Sequence, residues 1–164
     1  MRSYSHSLLG AGVGALVGNV MGIGFVLPAI VGMVAGLLPD VDEPSSAAGR
    51  AFGVWSKKMK NSWGHRTYTH TVYAVAITTI VMYISFRGIF VMLGLFPPGP
   101  YSLVVLAGLL SHIIADMTTR SGIYLFYPAK KLFFAGRWEA DGKKEEIIVS
   151  LFGFVLLFVA FINS

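Results

Sequence analysis

The chain has no cysteine, and only 13% of its 164 residues are charged. A soluble domain carries about 25% charged residues. With 55% hydrophobic residues and a mean hydropathy of +0.69, the composition predicts an integral membrane protein. The absence of cysteine excludes disulfide bonds, a thiolate metal site and a cysteine nucleophile. Any metal ion must therefore be held by imidazole and carboxylate groups.

The first apolar run predicts a helical hairpin. Residues 7–38 are almost wholly apolar and uncharged, which is too long for one span of about 20 residues and short for two. We expect two short helices, roughly residues 5–21 and 25–38, with a turn at residues 21–24. No small-residue cleavage site follows the run, so we expect the N-terminus to be mature structure. A stripe of glycines indicates close helix packing, although glycine is common in membrane helices anyway: Gly10, Gly14, Gly18, Gly22, Gly32 and Gly36.

Later apolar runs complete a helical membrane fold. Three further spans are expected at residues 71–87, 101–119 and 147–162. We expect residues 88–100 to form a turn region and Pro128 to break or cap a short interfacial helix. The predicted fold class is all-α, a single domain over residues 1–164. It is a polytopic bundle of about four to five transmembrane helices with short amphipathic interfacial segments.

Basic residues predict the orientation. They concentrate in residues 39–69 and 120–145, which also contain tryptophan, as is typical of a membrane interface. If the helices alternate, these segments and residues 1–6 share one face, which holds every lysine and arginine except Arg87. The positive-inside rule makes that face cytoplasmic. A nucleic-acid partner ranks low despite the net charge of +5, because membrane topology already accounts for the basic residues.

The same threading brings the histidines and most of the aspartates to that face, which predicts one metal site. The candidate ligands are His6, Asp40, Asp42, His65, His70, His112 and Asp116. Seven ligands exceed the four of a tetrahedral zinc site, so the sequence predicts either two ions or some residues that orient the ligands. Mixed imidazole and carboxylate ligands suit zinc, manganese or iron, and magnesium is a further candidate.

Local spacing supports three parts of this site. Pro39 and Pro44 disfavour a continued helix, so we expect an extended chain that points Asp40 and Asp42 the same way; a charged helix end is the alternative. His112 and Asp116 are four residues apart and share a helix face; a structural hydrogen bond between them is the alternative. His6, alone near a terminus, is the weakest candidate.

The motif G-H-R-T-Y-T-H at residues 64–70 is the third part. His65 and His70 are five apart, so one of them should precede the next helix, which Thr67 or Thr69 would cap. Arg66 suits a phosphate or carboxylate through its bidentate fork, or serves as a positive-inside anchor.

These motifs, with L-P-D-V-D at 38–42 and H-I-I-A-D-M-T-T-R-S-G at 112–122, resemble those of the YdjM-like family over nearly the whole chain. The family is described as LexA-regulated, membrane-bound, metal-dependent hydrolases. The resemblance implies metal-site roles for the Asp and His residues of these motifs and draws attention to Arg66, Thr69, Thr119 and Gly122. LexA concerns gene regulation, so it implies no DNA-binding surface on this chain.

The predicted function is hydrolysis, dependent on one or two divalent metal ions, of a phosphoester or other ester on a lipid or lipid-linked substrate. Asp42, His70 and Arg66 are the catalytic candidates: an Asp or His accepts a proton from water, and Arg66 stabilises the anionic group. Membrane lipids are the expected surroundings, at the cytoplasmic face of an inner membrane. The alternative is a non-catalytic membrane protein that uses the cluster for a structural metal, lipid-headgroup binding or transport.

Overall fold

The structure is a computed structural model, which describes residues 3–94, 99–134, 136 and 142–164. Within these residues it contains seven α-helices and two short 3-10 helices and no strand beyond one isolated bridge, which confirms the predicted all-α fold. The α-helices are α1 (Ser3–Val20), α2 (Val26–Ala35), α3 (Ala47–Phe52), α4 (Val54–Trp63), α5 (Val72–Met92), α6 (Gly99–Met117) and α7 (Lys143–Ile162). The 3-10 helices are Leu38–Asp42 and Tyr68–His70.

Three of the described helices, α5, α6 and α7, are long and apolar enough to cross a membrane. The helix α2 has 10 residues and is only about 15 Å long, half of a hydrocarbon core of about 30 Å. It packs back against α1 as the predicted hairpin, and the turn is made by Gly22 and Gly24, whose φ angles of 66° and 76° favour glycine. The described chain thus has three candidate membrane-spanning helices and one helical hairpin.

The glycine stripe is the contact between α1 and α2. A Cβ atom added to Gly32 would lie 2.8 Å from the Cα of Gly14, and one added to Gly36 would lie 3.3 Å from the Cα of Gly10. The two backbones therefore touch, as the sequence pattern predicts. The helix α1 also packs against α6 and runs parallel to α7, where the side-chain amide of Asn19 donates to the Ala160 carbonyl at 2.6 Å. The central position of α1 places its first turn beside the ends of α2 and α6.

Two predicted local structures are wrong. Asp40 and Asp42 are not on an extended chain but in the 3-10 helix Leu38–Asp42, because Pro39 lies in its first turn, where a missing N–H costs nothing. Neither Thr67 nor Thr69 caps α5; the Thr71 side chain does so by accepting from the Ala74 amide at 3.1 Å.

Two predicted boundaries also change. The helix α5 continues past Arg87 through Gly88 to Met92, because apolar residues follow the glycine and membrane helices tolerate it; residues 95–98 of the predicted turn lie outside the described part. No helix surrounds Pro128 in residues 120–134, where Ile123 and Phe133 instead form an antiparallel bridge. In this bridge the amide of each residue donates to the carbonyl of the other, at 3.0 and 2.9 Å.

The glycine contact predicts a selective loss of stability. Gly32→Ala should lower the free energy of unfolding by about 1–3 kcal/mol, because the new methyl group meets backbone that has no room to move. Gly88→Ala is the matched control, since nothing lies within 4 Å of its added Cβ. Thermal unfolding in one detergent compares the two variants. Equal transition temperatures would contradict the close packing of α1 on α2.

Candidate metal centre

Four separate segments meet at one end of the bundle and bring together every histidine of the chain. His6 comes from the first turn of α1, Asp40 and Asp42 from the 3-10 helix after α2, and His112 and Asp116 from the last turns of α6. His65 and His70 come from the segment between α4 and α5, so both precede the helix. All of these side chains are buried except that of His65, which is 26% exposed. The convergence predicted from the threading is therefore present.

Four atoms that could bind a metal ion lie at the centre of this cluster. His70 Nε2 is 3.2 Å from His112 Nε2 and 3.3 Å from Asp116 Oδ2. Asp40 Oδ1 is 3.7 Å from His70 Nε2 and 3.6 Å from His112 Nε2, which is itself 3.6 Å from Asp116 Oδ2. Two ligands of a tetrahedral zinc ion with bonds of 2.0–2.1 Å are about 3.4 Å apart. These five separations, from 3.2 to 3.7 Å, are close to that value.

Hydrogen bonds on the outer side of His112 and His70 leave both Nε2 atoms unprotonated. His112 Nδ1 donates to the Gly36 carbonyl at 2.7 Å. Thr69 Oγ1 donates to Asp42 Oδ2 at 2.6 Å, so it accepts from His70 Nδ1 at 2.9 Å. In a neutral imidazole the second nitrogen then carries a lone pair. Two lone pairs that face each other repel, and a cation between them removes that repulsion.

His65 and Asp42 form a separate pair at the edge of the cluster. His65 Nδ1 donates to Asp42 Oδ1 at 2.7 Å, and His65 Nε2 is 3.9 Å from Asp40 Oδ1. Burial opposes ionisation of Asp42, but hydrogen bonds from His65 and Thr69 and the nearby His70 outweigh it and lower the pKa of its carboxyl group. Both oxygens of Asp42 are thus engaged as acceptors, and it is absent from the three groups of described residues that can hold a metal ion.

Arg66 faces inward instead of toward the membrane surface. Its Nη2 donates to Asp116 Oδ1 at 2.9 Å, and its Nη1 donates to Thr119 Oγ1 at 3.1 Å. The φ angle of Arg66 is 64°, a conformation that costs a non-glycine residue about 1–3 kcal/mol and is retained where the surroundings enforce it. The guanidinium group therefore fixes one oxygen of Asp116 and leaves Oδ2 directed at His70 and His112.

The residues present fit a divalent cation. Three overlapping groups of donors each lie within 4.8 Å: His6, Asp40 and His112; Asp40, His65 and His70; and His70, His112 and Asp116. Asp116 Oδ2 and both ring nitrogens of His6 are buried and make no hydrogen bond to any described residue. Burial lowers the pKa of His70, which favours the neutral imidazole that binds metals. A cation would give Asp116 Oδ2 and one ring nitrogen of His6 the partner that buried polar atoms normally have.

Every residue predicted for the site lies in or beside the cluster, although the residues differ in what they contact. His6, the weakest candidate, is fully buried, with its ring stacked on His112 at 3.7 Å between centroids. Two participants had no direct sequence signal: the Gly36 carbonyl is backbone, and the Thr69 hydroxyl links His70 to Asp42 only after folding. The resemblance had drawn attention to Thr69 and Thr119 without giving them a role.

A polar cleft of about 990 Å³ leads from the cluster to the surface. Asp40, His65 and Arg66 line its inner part, and Arg50 and Lys60 lie on its walls. His70 and His112 have no exposed side-chain surface, so a molecule in the cleft would meet His65 and Asp40 first. The arrangement can therefore hold a buried cation and present one edge of it to a ligand.

Comparison with known proteins gives the family. The sequence pattern described as "YdjM inner membrane protein" matches residues 1–163. The chain belongs to the YdjM family. It is 36% identical over 97 residues to the inner membrane protein YdjM of Escherichia coli (strain K12), which is 59% of this chain and 47% of that protein.

A second relative is the uncharacterized protein YvsG of Bacillus subtilis (strain 168), 35% identical over 104 residues, or 63% of this chain and 59% of that protein. The chain thus spans about half the length of the curated relatives that it matches. No solved structure matches it. Membership of an inner membrane protein family agrees with the three helices long enough to span a membrane.

The hydroxyl bridge predicts how the centre responds to a small change. Thr69→Val removes the acceptor of His70 Nδ1 and the donor to Asp42 Oδ2, so metal affinity should fall about 10–100-fold. Thr67→Val is the control, because its hydroxyl donates to the Trp63 and Gly64 carbonyls outside the cluster. Competition with a chromogenic chelator measures both affinities. Equal affinities would show that Thr69 does not orient a ligand.

Proposed function

We propose that this YdjM-family chain is a membrane-bound hydrolase that depends on a divalent metal ion and cleaves a phosphoester or another ester of a lipid or lipid-linked substrate. The proposal depends on one observation: buried His and Asp side chains that could bind a metal ion lie close together, and this cluster is open on one side to a polar cleft. A cluster with no access would suit a structural ion equally well. Because the cleft reaches the cluster and the His65 side chain is partly exposed, a substrate has access to the site, which favours a reaction.

Asp40, His70, His112 and Asp116 would hold the ion, with His6 beside them. Zinc, manganese, iron or magnesium, as one or two ions, would supply Lewis-acid activation of water and of the ester. Gly36, Thr69 and Arg66 keep the donors directed inward through the hydrogen bonds described above. Such outer contacts set the orientation and basicity of metal-binding side chains.

The pair of His65 and Asp42 is placed to move a proton. His65 Nε2 lies at the cleft and accepts the proton of an attacking water, while Nδ1–H stays on Asp42 Oδ1 and the carboxylate stabilises the imidazolium. Asp42 keeps its predicted catalytic role as the partner of a base. His70, predicted as catalytic, is fully buried and better suited to hold the ion than to meet substrate.

Arg66 adds positive charge at the inner end of the cleft, where an anionic group of the substrate would lie. Its Nη1 and Nη2 each donate one hydrogen, to Thr119 and Asp116, while its buried Nε–H makes no hydrogen bond to a described residue. The group therefore keeps both its charge and a free donor for an anion. The predicted role in stabilising an anion is thereby kept, together with that of holding Asp116.

Variants of two kinds should separate metal binding from proton transfer. His112→Ala and Asp40→Ala should lose both the ion and the activity, since each removes a central donor. Asp42→Asn should keep the ion but lose at least about 100-fold in kcat, because the amide no longer stabilises a charged His65. Elemental analysis and a screen of phosphoester and carboxylester lipids give the two readings. Thr67→Val is the control, because its hydroxyl donates to the Trp63 and Gly64 carbonyls outside the cluster.

A structural ion is the second candidate, favoured by the complete burial of His70 and His112. In that case metal loss should destabilise the protein while Asp42→Asn has no effect on any reaction. Full activity of both His112→Ala and Asp40→Ala would refute a catalytic ion altogether.

We also propose that the site lies at the cytoplasmic face, on the evidence of the basic residues around it. Because the natural chain has no cysteine, single substitutions can report sidedness. A membrane-impermeant maleimide added to intact cells should label Met92→Cys, at the far end of α5 and 87% exposed, and leave Lys58→Cys in α4 unlabelled until the cells are broken. The reverse pattern would place the site outside.

A further inference from the structure

Beside the polar cleft lies a second, smaller cleft on the membrane-facing side of the bundle. Its volume is about 350 Å³, and it is lined by Tyr4 of α1, by Glu146 and Ser150 of α7, and by three apolar residues of α7, Ile147, Leu151 and Phe154. These three α7 residues are four and three positions apart, so they form one apolar stripe of the helix. Each is more than 60% exposed, on a helix long and apolar enough to cross a membrane. This α1/α7 groove is therefore open to the hydrocarbon region.

Tyr4 joins the two clefts, since it lines both and is 50% exposed. Its position in the first turn of α1 is two residues from His6, so it lies close to the buried cluster. In the polar cleft Tyr4 lies among serine hydroxyls and charged groups of both signs, and in the smaller cleft mainly among apolar side chains, with Glu146 and Ser150 beside them. A molecule that occupied both clefts would need a polar head and an apolar tail.

The charges of the polar cleft indicate which head. Lys60 is paired with Glu43, with Nζ and Oε2 2.5 Å apart. Arg50 donates instead to the Ser45 carbonyl at 2.6 Å, a neutral partner that leaves its positive charge in place. Three basic side chains of the cleft, Arg50, Lys60 and Arg66, outnumber its two carboxylates, Asp40 and Glu43. Arg66 is paired with Asp116, but its buried Nε–H makes no hydrogen bond to a described residue. Guanidinium groups and hydroxyls that line one cleft suit a phosphate.

We propose that the substrate is a long-chain lipid phosphate, with its phosphorylated head in the polar cleft and one acyl chain along the α1/α7 groove. This assignment rests on the proposed function, because it places the ester bond beside His65 and Asp40. Tyr4 marks the boundary between the head and the chain. The chain reaches the site from within the membrane, along α7, without first leaving the bilayer.

The test is equilibrium binding of two lipids to the full-length, detergent-purified chain, read by native mass spectrometry. The probes are dipalmitoyl and dibutyryl phosphatidic acid, which share a head and differ in chain length. Leu151→Trp fills the groove, and Ile148→Trp places the same ring at a neighbouring exposed position of α7 that does not line it. Arg50→Gln removes the charge of the outer cleft.

Wild type should bind the dipalmitoyl lipid at least about tenfold more tightly than the dibutyryl lipid, since two or more additional methylenes are buried. Leu151→Trp should weaken only the dipalmitoyl lipid, by about tenfold, and Ile148→Trp should weaken neither. Arg50→Gln should weaken both about tenfold. Equal affinities of wild type for the two lipids, both displaced by inorganic phosphate, would show a head site without a chain site and would overturn the groove assignment.

The outcome is independent of whether hydrolysis is found. If no lipid is hydrolysed by the metal-loaded chain, the proposed function fails, while a selective effect of Leu151→Trp still supports the groove. If hydrolysis is found but Leu151→Trp and Ile148→Trp bind both lipids alike, the groove assignment is wrong and the proposed function stands.

Discussion

The structure depends on one electrostatic constraint: imidazole lone pairs and carboxylate oxygens are held 3.2–3.7 Å apart in a buried place. When both rings are neutral, no proton lies between His70 Nε2 and His112 Nε2, because each ring uses its single N–H on the outer side. Leaving such atoms unpaired away from water is costly. A cation would offset this cost, and its binding would then be coupled to the packing of the four segments.

The close packing of α1 on α2 positions this cluster. Contact between glycine backbones brings the first turn of α1 next to the chain that follows α2, and so sets His6 beside His112. A larger residue at Gly32 would separate the helices and with them the ends that carry the ligands. Small residues in the membrane part thus act on the polar site at a distance, through rigid helices.

The cleft and the groove give the buried cluster two different neighbours. On one side are Arg50, Lys60 and hydroxyl groups at the level of the basic segments; on the other is the apolar stripe of α7. A lipid at a membrane interface has the same division between head and chain. Under the proposed function, this division would suit a molecule held in the bilayer.

The sequence by itself determined the membrane class, the helical fold and the set of residues that meet, because hydropathy, basic residues and i, i+4 spacing act locally along the chain. His112 and Asp116 share a helix face whatever surrounds them. Only the tertiary structure decided how the groups divide their work. Asp42 turned out to hold His65, Arg66 to hold Asp116, and the Gly36 carbonyl to orient His112. Hydrogen bonds between segments far apart in sequence have no local pattern, since they form only when the helices have packed.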